Sequence, residues 1–331
     1  MNKKGKGILI GTGVVAAGVA IGGILSHSIT KYMIKVAMHR ELPKMPKNPE
    51  KSKKQLRGFE DKEEFLLLME ERAIELEGQE TQCVEIQSFD GETLVGHWYP
   101  CENAKRVIVA MHGWRSSWSK DFGMIADFWH NQDCSVLFAE QRGQNNCGGE
   151  YMGFGLLERY DCAEWVKWVN EKIEKSLPIY LAGVSMGATT VLMASGLELP
   201  ENVCGIMADC GFTSPHAIWK HVAENNLHLS YRIRGKAAED LCRKKIQMGT
   251  KDYSTTDAMK VNKLPIIFVH GTEDHFVPIE MTYENYKACV APKRLVVVPG
   301  ADHGMSYYLD KKRYEQEAIA FWEANDSCAQ K

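Results

Sequence analysis

The chain has 331 residues, 44% of them hydrophobic, and a formal net charge of −3. That length can bury a catalytic-size domain of roughly 250 residues with appendages. The charge balance leaves no global basic field of the kind that draws a protein to nucleic acid. No internal repeat or low-complexity tract interrupts the body, so this is a globular protein with a segment attached at its front.

That segment is residues 8–25, ILIGTGVVAAGVAIGGIL, which carry no charge. At helical rise they span about 27 Å, close to the roughly 30 Å of a hydrocarbon core. Residues 1–34 are therefore expected to form an uncleaved, single-pass membrane anchor. A cleaved signal segment, which Lys3, Lys4 and Lys6 would suit, and a buried helix are the alternatives. Lys31, Lys35, Arg40, Lys44 and Lys47 follow the apolar stretch and outnumber the lysines before it, which favours a body on the cytoplasmic side of the cell membrane. The ten cysteines are scattered singly with no CxxC pair, and unpaired thiols suit the same reducing compartment. Residues 35–80 read as a basic, proline-containing linker followed by a helix, DKEEFLLLMEERAIELEG, that opens on acids and stops at Gly78.

From residue 81 to 326 the pattern changes. TQCVEIQSF and TLVGHWYP flank an Asp-Gly turn and read as a hairpin. RVIVAMHG, CSVLFAEQRG, PIYLAGVS, NVCGIMADCG, LPIIFVHG and KRLVVVPG follow as apolar runs, with helical candidates at 119–131, 155–175, 186–197, 280–290 and 310–325. Such alternation predicts an α/β fold with a mostly parallel eight-stranded sheet and helices on both faces. The insertion 211–263 is too long for a simple crossover and is expected to be a helical lid.

In sheets of this kind ligands sit beyond the carboxyl ends of the strands. After PIYLA comes Gly183-Val184-Ser185-Met186-Gly187, a G-x-S-x-G sequence with strand before it and helix after. The turn is too tight for side chains at the glycines, and the serine projects from its apex. A serine hydroxyl needs a base, and the base needs a carboxylate to fix its tautomer. Asp274 follows the seventh run and His303 the eighth, so Ser185, Asp274 and His303 are the candidate triad. Glu273, Asp302 and His275 adjoin them. Asp302 is too near His303 in sequence to reach its ring, His275 reads as a rim residue, and His270 as a satisfied structural histidine. Asp209, after the sixth run, is the reserve position for the acid. The oxyanion donors are expected from the backbone N–H of Met186 and, in the loop AMHGWRSSW, of Trp114. His112 and Gly113 would shape that loop, and the Trp114 and Trp118 side chains either line an acyl pocket or pack under the lid.

The segments VIVAMHGW, FAEQRGQNNCGGEYMGFGLLERYDCAEWVKWV, LAGVSMGATTVLMA, IIFVHGTEDHFVP and VPGADHGMSYY together resemble the α/β-hydrolase superfamily over roughly 81–325. More narrowly, they are similar to the membrane-anchored bacterial group related to serine aminopeptidase/lysophospholipase-like and BEM46-like hydrolases. Relatives often follow the fourth strand with D-x-R-G-x-G-x-S. Here Glu140-Gln141-Arg142-Gly143-Gln144-Asn145-Asn146 stands instead, which obscures substrate more than catalysis. The resemblance implies a serine hydrolase acting on a lipid or other acyl ester through an acyl-enzyme. A thioesterase acting on acyl-proteins or an aminopeptidase would use the same residues, and a catalytically silent binding protein on this fold is the reading from another class. No phosphate-binding glycine loop and no metal-ligand spacing is present, so no cofactor and no metal are expected.

Overall fold

The structure is a computed structural model that describes residues 27–42, 60–173 and 177–330. The eight apolar runs become β1 (Gln82–Gln87), β2 (Thr93–Tyr99), β3 (Arg106–Met111), β4 (Cys134–Ala139), β5 (Ile179–Val184), β6 (Val203–Asp209), β7 (Ile266–Gly271) and β8 (Lys293–Val298). They form one sheet in the order β1-β2-β4-β3-β5-β6-β7-β8. β2 pairs antiparallel with β1 and β4, and every other pairing is parallel.

β3 and β4 lie inside the sheet and are buried at every position, which explains why they read as continuous apolar runs rather than alternating ones. Alternation survives in which face each residue serves. Ile108, Ala110, Val136 and Phe138 belong to the core under α2 (Glu60–Glu77), α3 (Trp118–Asn131) and α11 (Lys311–Asn325). Val107, Val109, Met111, Leu137 and Ala139 belong to the opposite core, under α4 (Glu158–Lys172), α5 (Met186–Ala194) and α8 (Thr255–Val261). Each consecutive pair of parallel strands is bridged by at least one helix, as the crossover requires.

A third apolar cluster sits over one end of the sheet. It joins a helix through 27–38 (α1), α6 (Pro215–His221) and α7 (Tyr231–Ile246) through Ile34, Met38, Trp219, Tyr231, Phe212 and Met186. The insertion does build helices here, but α8 is body rather than lid. Ala258 and Met259 pack in the sheet-face core, and Thr255 Oγ1 donates to the Thr213 carbonyl. The boundary drawn between residues 34 and 35 falls inside α1, whose apolar face continues through Met38. Among the described residues no helix is long and apolar enough to cross a membrane. The stretch 8–25 lies outside them.

One expectation is corrected. Cys204, at the start of β6, and Cys328, after α11, form a disulfide with a Cα–Cα distance of 5.7 Å. Partners 124 residues apart leave no spacing signature, so scattered cysteines looked unpaired. The remaining eight are free thiols.

The loop after β4 is a buried electrostatic joint. Arg142 donates from Nε and Nη2 to Asp161 of α4 at 2.5 and 2.6 Å, from Nη1 to Asp90 of the β1–β2 turn at 2.7 Å, and from Nη2 to Ser88 Oγ at 2.8 Å. The Arg142 and Asp161 side chains are only 3% and 2% exposed. Removing one partner strands a buried charge, which costs about 3–5 kcal/mol. Arg142→Ala should lose that much in urea unfolding, and a loss under about 1 kcal/mol would show that the joint does not hold the loop.

Candidate active site

β5 ends at Val184 and α5 begins at Met186, so the reversal falls on Ser185 alone. Its φ of 55° and ψ of −116° hold a side-chain-bearing residue in a sparsely populated region, at a cost of about 1–3 kcal/mol that the surroundings must offset. The flanking glycines permit this. A Cβ on Gly187 would lie 1.8 Å from the Met111 carbonyl oxygen, and one on Gly183 would lie 2.3 Å from the Gly187 carbonyl carbon. The Ser185 N–H donates to the Asp209 carbonyl at 2.9 Å, tying the apex to the neighbouring strand.

Ser185 Oγ lies 2.9 Å from His303 Nε2, and His303 Nδ1 lies 2.7 Å from Asp274 Oδ2. Asp274 Oδ1 accepts from the N–H groups of Phe276 and Val277 at 2.9 and 2.8 Å. Burial raises the carboxyl's proton affinity, but hydrogen bonds from His270 and His303 outweigh it and hold the group well below the usual carboxylate range. An ionised Asp274 can only accept, so His303 Nδ1 carries a proton. In the neutral ring Nε2 is then the lone pair facing the serine hydroxyl.

His270 matches its expected structural reading and adds to it. Its Nε2 faces two acceptors, Asp274 Oδ2 at 3.1 Å and the Val277 carbonyl at 2.9 Å, and so bears the proton. Its Nδ1 accepts from Thr282 Oγ1 at 2.7 Å. The acid is thus oriented by a second, fully buried histidine. Asp209 does not compete for the triad. Its carboxyl accepts from Ser306 Oγ at 3.0 Å, and burial pushes its pKa up to about 6. Asp302 Oδ1 caps the N–H groups of His303 and His275 at 2.7 and 3.2 Å, and His275 is exposed. Glu273 is exposed too, and its N–H donates to the Ala301 carbonyl.

Burial by itself lowers the proton affinity of His303. The neighbouring Cys210, when ionised, and Asp274 raise it, and the balance lies well above 6.5. Burial also pushes the Cys210 thiol up to about 11, so near neutrality Asp274 is the charge that acts. The ligating atoms of Cys210, Asp274 and His303 lie within 4.8 Å of one another. A neutral thiol is a poor metal ligand, and His303 Nδ1 is committed to Asp274.

The loop after β3 is fixed at nearly every residue. Gly113 N–H donates to Asp121 Oδ2 at 2.6 Å, and Ser116 Oγ donates to Asp121 Oδ1 at 2.5 Å. The buried His112 ring meets the Gly113 carbonyl at 2.8 Å and the Gln141 N–H at 3.1 Å, so its structural reading holds. Arg115 N–H donates to Gln144 Oε1 at 2.5 Å. The N–H groups of Met186 and Trp114 have no protein acceptor among the described residues, leaving both available as oxyanion donors. The Trp114 indole lies beneath α1, donating to the Ala37 carbonyl at 2.8 Å, while Trp118 is core, stacked on His97 at 4.2 Å.

Two cavities meet at the triad. One of about 140 Å³ runs past Ser185 between Phe65, Met69, Gly113, Met124 and Val184. The other, of about 260 Å³, opens beside His303 between Phe65, Leu66, Phe276 and Met305. Phe65 on α2 borders both. Sequence reasoning missed Asp121, the second role of His270, and Phe65. An acid in a helix's first turn and an aromatic on a helix's apolar face carry no mark of where the helix docks.

Residues 120–326 match the model of the prolyl oligopeptidase family, peptidase family S9. Protein YqkD of Bacillus subtilis is 25% identical over 58% of this chain, which spans 64% of YqkD's length. Protein YfhR of Escherichia coli K12 is 22% identical over 67% of this chain and 73% of its own. The esterase Pf2001 of Pyrococcus furiosus superposes with a TM-score of 0.62 at 21% identity, covering 75% of this chain and 92% of its own. An acylaminoacyl peptidase of Pyrococcus horikoshii gives 0.57 at 16% identity over 76% of this chain but 42% of its own. These structures share the α/β-hydrolase fold; the matches bear on fold and family and not on membrane anchoring or a BEM46-like grouping.

A base must be unprotonated to act, and His303 sheds its proton only above a raised pKa. The rate constant kcat/KM for p-nitrophenyl acetate should therefore be lost as pH falls, with a midpoint above 6.5. A profile flat from pH 5 to 9, or centred below 6, would contradict the assignment of His303 as base.

Proposed function

Because the chain belongs to the prolyl oligopeptidase family of serine hydrolases, we propose that it cleaves carboxylic esters with short acyl groups through an acyl-enzyme on Ser185. The observation that carries this reading is the Ser185–His303 contact of 2.9 Å between two small cavities with largely apolar walls. Each cavity alone is below the roughly 300 Å³ at which pockets begin to hold drug-sized ligands, so an acyl group seated in one of them would be compact.

In the proposed reaction His303 Nε2 takes the Ser185 hydroxyl proton as Oγ attacks the acyl carbonyl. The negative charge forms on the carbonyl oxygen, which the N–H groups of Met186 and Trp114 would hold; one such donor is worth about 10²–10³-fold in rate. Asp274 stays ionised beside the imidazolium and is not itself protonated. His303 then delivers the proton to the departing alkoxide, and the acyl-enzyme remains. Water enters, gives a proton to Nε2, attacks the acyl carbonyl, and the acid leaves as Ser185 recovers its proton.

A second reading, amide cleavage, draws on the family match, because the same triad serves an amine leaving group. Two assays separate them. A fluorophosphonate probe should label the wild type and not Ser185→Ala; equal labelling would remove Ser185 from the mechanism. Among p-nitrophenyl esters, acetate and butyrate should be cleaved faster than palmitate and faster than an acetyl-alanyl anilide. Negligible ester turnover with strong anilide cleavage would make the enzyme a peptidase.

We also propose that residues 8–25 anchor the enzyme in the cell membrane with its body on the cytoplasmic face. The lysine excess after the apolar stretch supports this; the Cys204–Cys328 disulfide withdraws the support that unpaired thiols would have lent. Protease added outside intact cells should leave the body whole, and its digestion would reverse the topology.

A further inference from the structure

Away from the triad, α1 and α7 both line a groove of about 340 Å³. The two helices furnish it in the same way. Lys31, Ile34 and Lys35 on α1, and Leu241, Lys244 and Lys245 on α7, recur at the three- and four-residue spacings that share one helix face. Each helix thus contributes one aliphatic side chain and two ammonium groups. His39 and Tyr151 complete the lining, with Lys245 Nζ 4.3 Å over the Tyr151 ring.

Four ammonium groups gathered in one groove repel one another, and little opposes them. Among the described residues none of Lys31, Lys35, Lys244 and Lys245 has a carboxylate within ion-pair distance. Glu150, 67% exposed, lies 3.8 Å from His39. Arg115 adds a further positive charge toward His39. Burial, with Lys244 and Lys35, lowers the proton affinity of Lys245 against the opposing pull of Glu150, and burial, with Lys245, Lys35 and Arg115, lowers that of His39 against the same carboxylate. The groove thus gathers positive charge on a protein whose overall balance is −3.

We propose that this groove is a binding site for a phosphate group. Its ammonium groups supply several donors to one phosphate anion, and its aliphatic side chains suit the carbon skeleton that carries it. Anionic phospholipid headgroups and free phosphate monoesters share this chemistry. The site stands apart from Ser185 and does not depend on the ester reading. It has a route to the catalytic domain all the same. The Arg115 guanidinium donates to the carbonyls of Val36 at 2.7 Å and His39 at 2.6 Å, so the loop that carries Trp114 also caps the helix that carries Lys31 and Lys35.

The test uses the full chain in a neutral detergent, titrated with dihexanoyl phosphatidylglycerol, dihexanoyl phosphatidylcholine or glycerol 3-phosphate. The midpoint of thermal unfolding and the calorimetric heat are followed. Phosphatidylglycerol, glycerol 3-phosphate or both should bind saturably, more weakly at high salt, and phosphatidylcholine at least tenfold more weakly. Binding by glycerol 3-phosphate alone would identify the source as soluble, and by phosphatidylglycerol alone as lipid. The triple variant Lys35→Gln/Lys244→Gln/Lys245→Gln should lose at least tenfold in affinity, and the corresponding triple Arg variant should retain it. Lys167→Gln/Lys236→Gln/Lys260→Gln, which removes as many charges elsewhere, should bind as the wild type does. The proposal fails if neither phosphate probe binds, if the groove variant binds normally, or if the control variant loses as much as the groove variant.

Discussion

The site depends on how closely α5 can approach β3. Gly187 lies so near the Met111 carbonyl that a single added carbon would sit 1.8 Å from its oxygen. That approach is what allows a one-residue reversal between β5 and α5 and forces Ser185 into its strained conformation. The strain has a purpose in geometry: a relaxed serine would continue the strand or the helix, and its hydroxyl would point into a core face. The strained one stands above the sheet, 2.9 Å from His303. The backbone bond from Ser185 N–H to Asp209 then fixes the apex against the next strand.

Around that point the charges are graded by their neighbours. Three carboxyl groups near the triad differ in what faces them. Asp274 receives two backbone N–H groups and two imidazoles and stays ionised. Asp209 is buried with one hydroxyl donor, and its pKa rises to about 6. Asp302 caps two backbone N–H groups at the rim. At Asp274 the hydrogen bonds from the two imidazoles outweigh the desolvation, whereas at Asp209 burial prevails.

The helices ahead of the hydrolase domain are part of the site's surroundings and not a tether beside it. α2 brings Phe65 between the two cavities, and its close packing on α3 is visible at Gly123, where a Cβ would lie 2.6 Å from the Arg72 carbonyl. α1 is held through Ile34 and Met38, by the Trp114 indole and by Arg115. The loop after β3 is therefore braced by Asp121 on one side and by α1 on the other. Phe65, which lines both cavities beside Ser185 and His303, lies outside the region that matches the family model.

Local order carried much of this in the sequence. Six of the strands were legible because apolar runs bounded by glycine and small polar residues point to burial, and β1 and β2 because an Asp-Gly turn joins them. Ser185, Asp274 and His303 were legible because each follows such a run, and a strand's carboxyl end is a place that sequence order marks. What the sequence determined by itself was the alternation of strand and helix, the glycine-flanked serine, and the chain order of the three candidate residues. The tertiary structure alone decided that Asp274 rather than Asp209 holds the histidine, that His270 stands behind the acid, and that Cys204 meets Cys328 across 124 residues. It alone brought Phe65, Asp121 and the four groove lysines to where they lie. The disulfide, Phe65 and the groove are meetings between elements distant in sequence, and residue spacing along a chain carries no record of how helix faces dock on the sheet.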